Sequence, residues 1–147
     1  PYFNQKIPMN TYQQIEAEIQ NANNIVITSH KLADGDSVGC SLGLLHFIEK
    51  LGKKAVICHP DPAPKFLYWL DSSPIVLLSE TPEKVEAEMK NADLIFCLDY
   101  NATNRLGPEM KEILEAAPCK KIMIDHHLNP EEFPTLMISE TTASSTS

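Results

Sequence analysis

Short apolar runs alternate with segments of helical periodicity along almost the whole chain, and this alternation restricts the possible folds more than any other feature. The runs are continuous rather than alternating with polar residues, which is typical of strands buried on both faces of a parallel sheet. We therefore predict an α/β fold with a doubly wound, mainly parallel sheet, helices on both faces and right-handed crossovers. The predicted strands are 24–30, 54–59, 75–79, 93–99, 120–125 and 135–139.

The segments between these strands predict five helices. The first covers residues 12–20. The longest covers 38–51, behind Asp36 and Ser37 as N-caps, and stops at Gly52. The other three are a short helix at 66–70 and helices at 82–91 and 107–117.

Composition sets the broad class of the protein. A chain of 147 residues with 43% hydrophobic residues fits one globular domain. The formal net charge of −8 argues against binding to long single-stranded or duplex nucleic acid, which requires a basic face. No apolar run reaches the length of a membrane span, and the first ten residues carry no signal-peptide pattern. We therefore expect a cytoplasmic protein with no membrane partner.

Unusual polar residues follow three of the predicted strands. His30, Asp34 and Asp36 come after the first strand, Asp99 ends the fourth, and Asp125-His126-His127 ends the fifth. Because ligands bind at the carboxyl ends of strands in such sheets, we expect these clusters to meet at one edge. The helix behind Asp36 also points its N-terminus at that edge, which favours anions such as phosphate.

Imidazole and carboxylate donors together favour Mn²⁺, Fe, Zn²⁺ or Co²⁺ over Ca²⁺. Taken singly, each residue has a simpler explanation as a turn or cap residue, so the prediction rests on three clusters at matching strand ends. Five donors with a shared carboxylate suit two ions about 3.5–4 Å apart, as in the hydrolysis of phosphate esters. The five candidate ligands are His30, Asp34, Asp36, Asp99 and His126.

The remaining histidines and the cysteines have structural explanations. His46 lies within a predicted helix and is interpreted as structural or surface. His59 is interpreted in the same way, with a His59–Asp61 pair near the site as the alternative. No pair of cysteines has the C-x-x-C spacing of a zinc site, so we predict buried thiols in a reducing compartment. The cysteines are Cys40, Cys58, Cys97 and Cys119.

The clusters together resemble the motifs of the DHH phosphoesterase superfamily. Asp125-His126-His127 is similar to the signature that names the family, His30-x-x-x-Asp34-x-Asp36 to its first motif and Asp99 to its second. The segments DGDSVGCSLGL (34–44) and ASSTS (143–147) resemble the nano-RNase and 3′-phosphoadenosine-5′-phosphate phosphatase branch. Motif order and spacing fit over essentially the whole chain.

The resemblance implies a cofactor and a role for each site residue. It implies two Mn²⁺ ions, one held by His30, Asp34 and Asp99, and the other by Asp36, Asp99 and His126, with Asp99 bridging. His127 would contact the substrate phosphate and donate a proton, and Asp125 would orient the motif or a histidine ring. Arg105 is a further candidate for contacting a phosphate, with a solvated arginine at a helix start as the alternative.

Two departures from the family pattern are visible. Ala33 stands where the family usually has proline, which should change the geometry of the turn only modestly because no ligand is removed. Family members also continue beyond the position of Ser147 with a helix, a strand bearing a further aspartate ligand, and a smaller C-terminal substrate-binding domain. The resemblance therefore implies that residues 1–147 form a DHH catalytic domain that is incomplete at its C-terminus and inactive by itself if those parts are required.

The resemblance implies a metal-dependent phosphohydrolase. It would cleave phosphodiesters of very short RNA and the 3′-phosphate of phosphoadenosine phosphate with a water activated by two metal ions. Alternatives within the family are a cyclic dinucleotide phosphodiesterase, a single-strand exonuclease and an inorganic pyrophosphatase. A basic, aromatic groove for long single strands is not apparent in the sequence.

Two non-enzymatic alternatives remain at the level of sequence. A nucleotide-binding fragment without catalysis should be indifferent to Mn²⁺ and to a chelator. A fragment could also associate, for example as a homodimer, through Phe66, Tyr68 and Trp69, although we expect these side chains to pack within the core or a loop.

Overall fold

The computed structural model describes residues 9–147. Residues 1–8 lie outside the described part, and they include most of the N-terminal segment that was examined for a signal peptide. The helices are α1 (Thr11–Asn21), α2 (Gly35–Lys50), α3 (Pro82–Asn91) and α4 (Pro108–Ala116). The strands are β1 (Ile25–Ser29), β2 (Ala55–His59), β3 (Ile75–Leu77), β4 (Leu94–Leu98), β5 (Lys120–Asp125) and β6 (Leu136–Ser139). Two short 3-10 helices span Lys65–Leu67 and Thr103–Leu106.

The six strands form one sheet in the order β3-β2-β1-β4-β5-β6, and every neighbouring pair is parallel. The chain order runs outward from β1 in one direction and then from β4 in the other. The boundary between β1 and β4 is therefore the point at which the topology switches, where open α/β sheets bind their ligands. The doubly wound parallel sheet predicted from the sequence is confirmed.

Each face of the sheet carries two helices and its own apolar core. Ile25 and Ile27 of β1 belong to the cluster that contains α1 and α2, whereas Val26 belongs to the cluster that contains α3 and α4. Successive side chains of a strand point to opposite faces, so continuous apolar strands supply both cores at once. This explains why every residue of β1 and of β4 is buried.

The start of α2 differs from the prediction. We expected Asp36 and Ser37 to be N-caps, but the N-cap is Asp34 and the helix begins at Gly35. The Ser37 backbone N–H donates to Asp34 Oδ1 at 2.9 Å, and the Asp34 N–H donates to Ser37 Oγ at 2.8 Å. This reciprocal capping box satisfies two backbone donors and extends the helix by one turn towards β1. At the other end Gly52 has a φ of 75° and ends the helix as predicted.

The segment between β2 and β3 contradicts the packing predicted for its aromatic residues. Leu67 is buried there, whereas Phe66, Tyr68 and Trp69 are 73%, 63% and 78% exposed. Apolar composition favours burial, but this segment crosses the rim of the sheet, where no other described element covers it. We call Phe66, Tyr68 and Trp69 the aromatic patch.

Within residues 9–147, none of the helices combines the length and hydropathy that crossing a bilayer requires.

Candidate metal centre

The three predicted clusters meet at the carboxyl edge of the sheet because their strands are neighbours. Ser29 of β1 lies beside Leu98 of β4, and Leu98 lies beside Ile124 of β5. The next residue along each strand is His30, Asp99 or Asp125. These residues are separated by up to 95 positions in the sequence, yet they form one row at the switch point of the sheet.

Helix α2 supplies the other two carboxylates in its first turn. Asp34 is the N-cap, and Asp36 is the second residue of the helix. The two side chains differ in exposure, at 58% for Asp34 and 17% for Asp36. Because α2 follows β1 directly, its N-terminus and both carboxylates face the same edge as His30.

The Asp99 carboxylate divides the site into two halves. Its Oδ2 lies 3.3 Å from His30 Nε2, and its Oδ1 lies 3.4 Å from His126 Nε2. In the first half, His30 Nε2 is also 3.7 Å from Asp34 Oδ2. In the second half, His126 Nε2 is also 3.5 Å from Asp36 Oδ2. The sequence-predicted ligands therefore all come together, with Asp99 shared between two groups.

His30 and His126 present the same ring nitrogen, Nε2, to the site. The Nδ1 atoms are engaged elsewhere: that of His30 lies 2.8 Å from the Lys31 carbonyl, and that of His126 lies 3.3 Å from the Ala143 carbonyl. His127 Nδ1 lies 2.7 Å from Asp125 Oδ1. Such outer contacts fix the tautomer and leave Nε2 as the free donor for a cation or a substrate.

Asp125 holds His127 rather than facing a cation directly. Its side chain is fully buried, its Oδ1 pairs with the ring as described, and its Oδ2 accepts the His127 backbone N–H at 2.8 Å. The ring of His127 remains one-third exposed and lies 4.5 Å from that of His126, centroid to centroid. These contacts are of the kind that orient a histidine ring, and the orienting role of Asp125 stays a prediction.

Asp99 owes its position to an unusual backbone conformation. Its φ is 63°, in the left-handed region that non-glycine residues seldom adopt, although aspartate tolerates it better than most. The Asp99 N–H still donates to the Ile124 carbonyl at 3.0 Å. The next residue, Tyr100, is completely buried, and its hydroxyl lies 2.8 Å from Thr28 Oγ1. This hydrogen bond holds Tyr100 in the core that contains α3 and α4, and it thereby keeps the neighbouring Asp99 in place.

The electrostatics of the site favour a cation. The hydrogen bond with Asp99 raises the pKa of His30 against the opposing effect of burial. Partial burial disfavours the charged form of Asp36, but the hydrogen bonds from Thr146 and Ser147 outweigh it and lower the pKa of this carboxyl. The site therefore concentrates negative charge, and a metal ion bound there would take the place of the imidazole proton.

Arg105 lies at the same edge but is not joined to the carboxylates. It sits on the 3-10 helix after β4, its side chain is exposed, and it forms no ion pair with any residue between 9 and 147. Its carbonyl accepts the Lys31 backbone N–H at 2.9 Å, which ties this helix to the residue after His30. The contact brings Arg105 close to the site through the backbone, and its contact with phosphate remains a prediction.

The segment 143–147 contributes contacts to which the sequence analysis assigned no role. The N–H groups of Thr146 and Ser147 donate to the two oxygens of Asp36 at 2.8 and 2.9 Å, and the Thr146 hydroxyl donates to Asp99 Oδ1 at 3.0 Å. Thr146 and Ser147 lie 110 and 111 positions from Asp36 in the chain, and Thr146 lies 47 positions from Asp99. The only signal in the sequence was the resemblance of ASSTS to a family segment.

The His59–Asp61 pair considered as an alternative is absent from residues 9–147. The buried ring of His59 lies 2.9 Å from Ser41 Oγ through its Nε2, and burial lowers the pKa of His59 to about 4. The carboxylate of Asp61 instead accepts the Leu32 N–H at 3.0 and 3.1 Å. The other non-site histidine, His46, is exposed on α2, as predicted.

Comparison with known protein families matches residues 24–147 to the DHH family, N-terminal domain. The chain belongs to the DHH family. The matched region contains both halves of the site described above and includes two groups of residues that could each hold a metal ion: His30, Asp34 and Asp99, and Asp99, His126 and His127. The resemblance predicted from the motifs is thereby confirmed.

Two relatives refine the comparison with the DHH family. The chain is 30% identical over 119 residues to the bifunctional oligoribonuclease and PAP phosphatase NrnA of Mycoplasma pneumoniae, covering 80% of this chain and 34% of that protein. It is 40% identical to an exopolyphosphatase-related protein from Bacteroides fragilis, whose crystal structure superposes with a TM-score of 0.90. That match covers 97% of this chain and 42% of the solved one. The chain therefore spans less than half the length of either relative.

Proposed function

We propose that this chain carries the catalytic centre of a Mn²⁺-dependent phosphohydrolase that cleaves very short RNA and the 3′-phosphate of phosphoadenosine phosphate. The observation that carries the proposal is the division of the Asp99 carboxylate between His30 and His126, at 3.3 and 3.4 Å. A carboxylate shared in this way is what a two-ion centre for phosphate esters requires. The named activity of the Mycoplasma relative favours these two substrates within the family.

The donor set fits two divalent cations. His30, Asp34 and Asp99 would hold one ion, and Asp36, Asp99 and His126 the other. The mixture of imidazole nitrogen and carboxylate oxygen suits Mn²⁺, and each histidine already has its Nδ1 occupied, which leaves Nε2 for the metal. When bound, the two cations would neutralise phosphate oxygens and lower the pKa of a water.

The residues of this chain supply the remaining functions. His127 would bind a phosphate oxygen or donate a proton through its partly exposed Nε2, because Asp125 holds the opposite ring nitrogen at 2.7 Å. Asp125 acts through His127 and is a positioning residue. Arg105 would neutralise a phosphate at the rim, and the partners are short oligonucleotides and phosphorylated nucleotides in the cytoplasm.

Hydrolysis measured with and without metal tests the proposal. Release of phosphate from phosphoadenosine phosphate and of mononucleotide from a dinucleotide should require Mn²⁺, stop with a chelator and fall at least a hundredfold in Asp99→Asn. Asparagine is also accepted in the left-handed region, so the fold should be retained. His46→Asn on the exposed face of α2 is the matched control and should keep full activity. Full activity of Asp99→Asn would contradict the shared-ligand assignment.

Because the chain spans less than half the length of its relatives, the assay should also be run on a longer protein that extends beyond Ser147. Activity found only in the longer protein would mean that this chain supplies the catalytic centre and that the part beyond Ser147 supplies the substrate-binding surface. If both proteins bind the nucleotide without metal and neither hydrolyses it, the non-catalytic nucleotide-binding alternative would be favoured.

A second candidate substrate is inorganic polyphosphate or pyrophosphate. The Bacteroides structure with 40% identity is described as exopolyphosphatase-related, and a two-ion centre can act on phosphoanhydrides as well as on esters. Parallel assays with pyrophosphate, tripolyphosphate and a dinucleotide would separate the candidates. Faster hydrolysis of pyrophosphate and tripolyphosphate than of the dinucleotide would contradict the proposal of nucleotide substrates.

A further inference from the structure

Asp61 has no function in the centre described so far. It is partly buried and lies two residues beyond the end of β2, between that strand and the aromatic patch. Both of its carboxylate oxygens accept the same backbone N–H, that of Leu32, at 3.0 and 3.1 Å. The two residues are 29 positions apart, so this contact joins the loop after β2 to the loop after β1. It therefore falls within the segment that connects the candidate ligands His30 and Asp34.

Leu32 has a backbone conformation that its residue type disfavours. Among residues 9–147, three residues other than glycine have a positive φ: Leu32 at 60°, Asp99 at 63° and Asn129 at 58°. Aspartate and asparagine tolerate the left-handed region, whereas a bulky side chain there is an outlier. The Leu32 side chain is 78% exposed, so burial of apolar surface does not compensate the cost. The charge-assisted hydrogen bonds to Asp61 are contacts that stabilise this conformation.

The left-handed residue lies where the chain has to turn between two candidate ligands. An extended chain would place the Cα atoms of residues 30 and 34 about 13–14 Å apart. Instead, His30 Nε2 and Asp34 Oδ2 face each other at 3.7 Å. A residue with positive φ is a common way to make such a tight turn. The conformation of Leu32 therefore bears directly on whether the two side chains converge.

The end of β2, from which Asp61 extends, is itself held in place. The His59 carbonyl accepts the Leu78 N–H at 2.9 Å, and the His59 ring lies 2.9 Å from Ser41 Oγ on α2. These contacts fix the chain two residues before Asp61 against the helix that carries the candidate carboxylates. Asp61 is thus a firm point to which the loop after β1 is attached.

We propose that Asp61 is a positioning residue that holds Leu32 in the left-handed conformation and thereby keeps His30 and Asp34 converged on one cation. This inference rests on the proposed function, since it assigns Asp61 to the first half of the two-ion centre. Asp61 acts through the backbone of Leu32 and touches neither metal nor substrate. What the site requires at this position is an acceptor oxygen rather than a negative charge.

Calorimetric titration with Mn²⁺ tests the role of Asp61. Asp61→Ala removes both acceptor oxygens and should weaken binding of one of the two ions at least tenfold, the size of effect typical of contacts that orient metal ligands. Adding Leu32→Gly to Asp61→Ala should restore the affinity to within about threefold of the wild type, because glycine adopts a positive φ readily. Asp61→Asn keeps one acceptor oxygen and should also stay within about threefold.

Two control variants complete the experiment. Asp71→Ala removes the same charge ten positions further along the chain, where Asp71 accepts the Ser73 N–H at 3.1 Å within its own turn. It should leave the affinity for both ions unchanged. Leu32→Gly alone should bind Mn²⁺ as the wild type does, because the left-handed conformation is retained.

Two results would overturn the role of Asp61. One is unchanged Mn²⁺ binding in Asp61→Ala, because the ligands would then converge without this contact. The other is an equal loss in Asp61→Asn and Asp61→Ala that Leu32→Gly does not restore, because the charge of Asp61 rather than its hold on the backbone would then matter.

The experiment separates this inference from the proposed function. A wild-type chain that takes up no Mn²⁺ would reject the two-ion centre, and with it any role of Asp61 in metal binding. Uptake of two ions by the wild type and by Asp61→Ala with equal affinities would reject the role of Asp61 and leave the centre as proposed.

Discussion

At the scale of single residues, Asp99 and His59 show how hydrogen bonds in the surrounding core support the site. Asp99 keeps a left-handed backbone because Tyr100 is anchored on the far side of the sheet through Thr28. His59 lies completely buried behind the site, and its ring joins β2 to Ser41 of α2 at 2.9 Å. Strained or desolvated groups of this kind persist only where surrounding packing compensates their cost.

The buried His59 makes stability depend on pH. Its pKa is about 4 in the folded chain and about 6.5 when unfolded, so only the unfolded state takes up the proton between these values. Stability should therefore be fully present above about pH 6.5 and be lost as the pH falls towards 4. Between pH 7 and pH 5 this one group should remove about 2 kcal/mol.

Urea unfolding at both pH values measures the effect, with His59→Gln as the reference that cannot titrate. The wild-type chain should lose about 2 kcal/mol more than His59→Gln over this interval. Equal losses would mean that His59 is protonated in the folded state.

At the scale of elements, the first turn of α2 has two functions. The Asp34 carboxylate uses Oδ1 to cap the helix through Ser37 and presents Oδ2 to His30 at 3.7 Å. The helix N-terminus also favours a carboxylate by its dipole. One oxygen of Asp34 therefore caps the helix, and the other faces the metal site that we propose.

Two substitutions at Asp34 should separate these functions. Asn retains the capping oxygen, so Asp34→Asn should keep nearly the wild-type unfolding free energy while weakening Mn²⁺ binding at least tenfold. Asp34→Ala should lose both metal affinity and about 1 kcal/mol of stability. Calorimetric titration with Mn²⁺ and urea unfolding measure the two quantities. Equal stability of the two variants would show that the cap does not contribute.

At the scale of the whole molecule, carboxylates from several elements converge on one edge of the sheet. Asp36 and Asp99 are both partly or fully buried there, and β1, β4, β5 and α2 all contribute to the site. Repulsion among these groups opposes folding, and the cations that we propose at this edge would reduce it. Metal binding should therefore be coupled to the stability of the entire domain.

Thermal unfolding with Mn²⁺ or with a chelator measures this coupling. Mn²⁺ at about a hundred times its Kd should stabilise the chain by about 2.7 kcal/mol for each ion bound, or raise Tm by about 5–10 °C per ion. The shift should be largely absent in Asp99→Asn, which lacks the shared carboxylate. A melting temperature independent of Mn²⁺ in the wild-type chain would argue against ion binding by these residues.

The local sequence was sufficient to predict the strands and the convergence of the candidate ligands. Continuous apolar runs define buried strands, and parallel topology brings their carboxyl ends to one edge, so His30, Asp99 and His126 could be placed together. The 3-10 helix at Thr103–Leu106 was not predicted, because its four residues have no apolar periodicity. Element ends also shifted by one to three residues, since caps depend on competing side chains.

The sequence by itself determined the sheet, the order of its motifs and the donor types of the centre, because these depend on periodicity and residue chemistry. Tertiary structure alone decided that Asp34 rather than Asp36 caps α2, that Thr146 reaches Asp99, and that Trp69 is exposed. Each of these depends on which distant groups compete for a hydrogen bond or cover a surface. Such competition is settled only when the whole chain has packed.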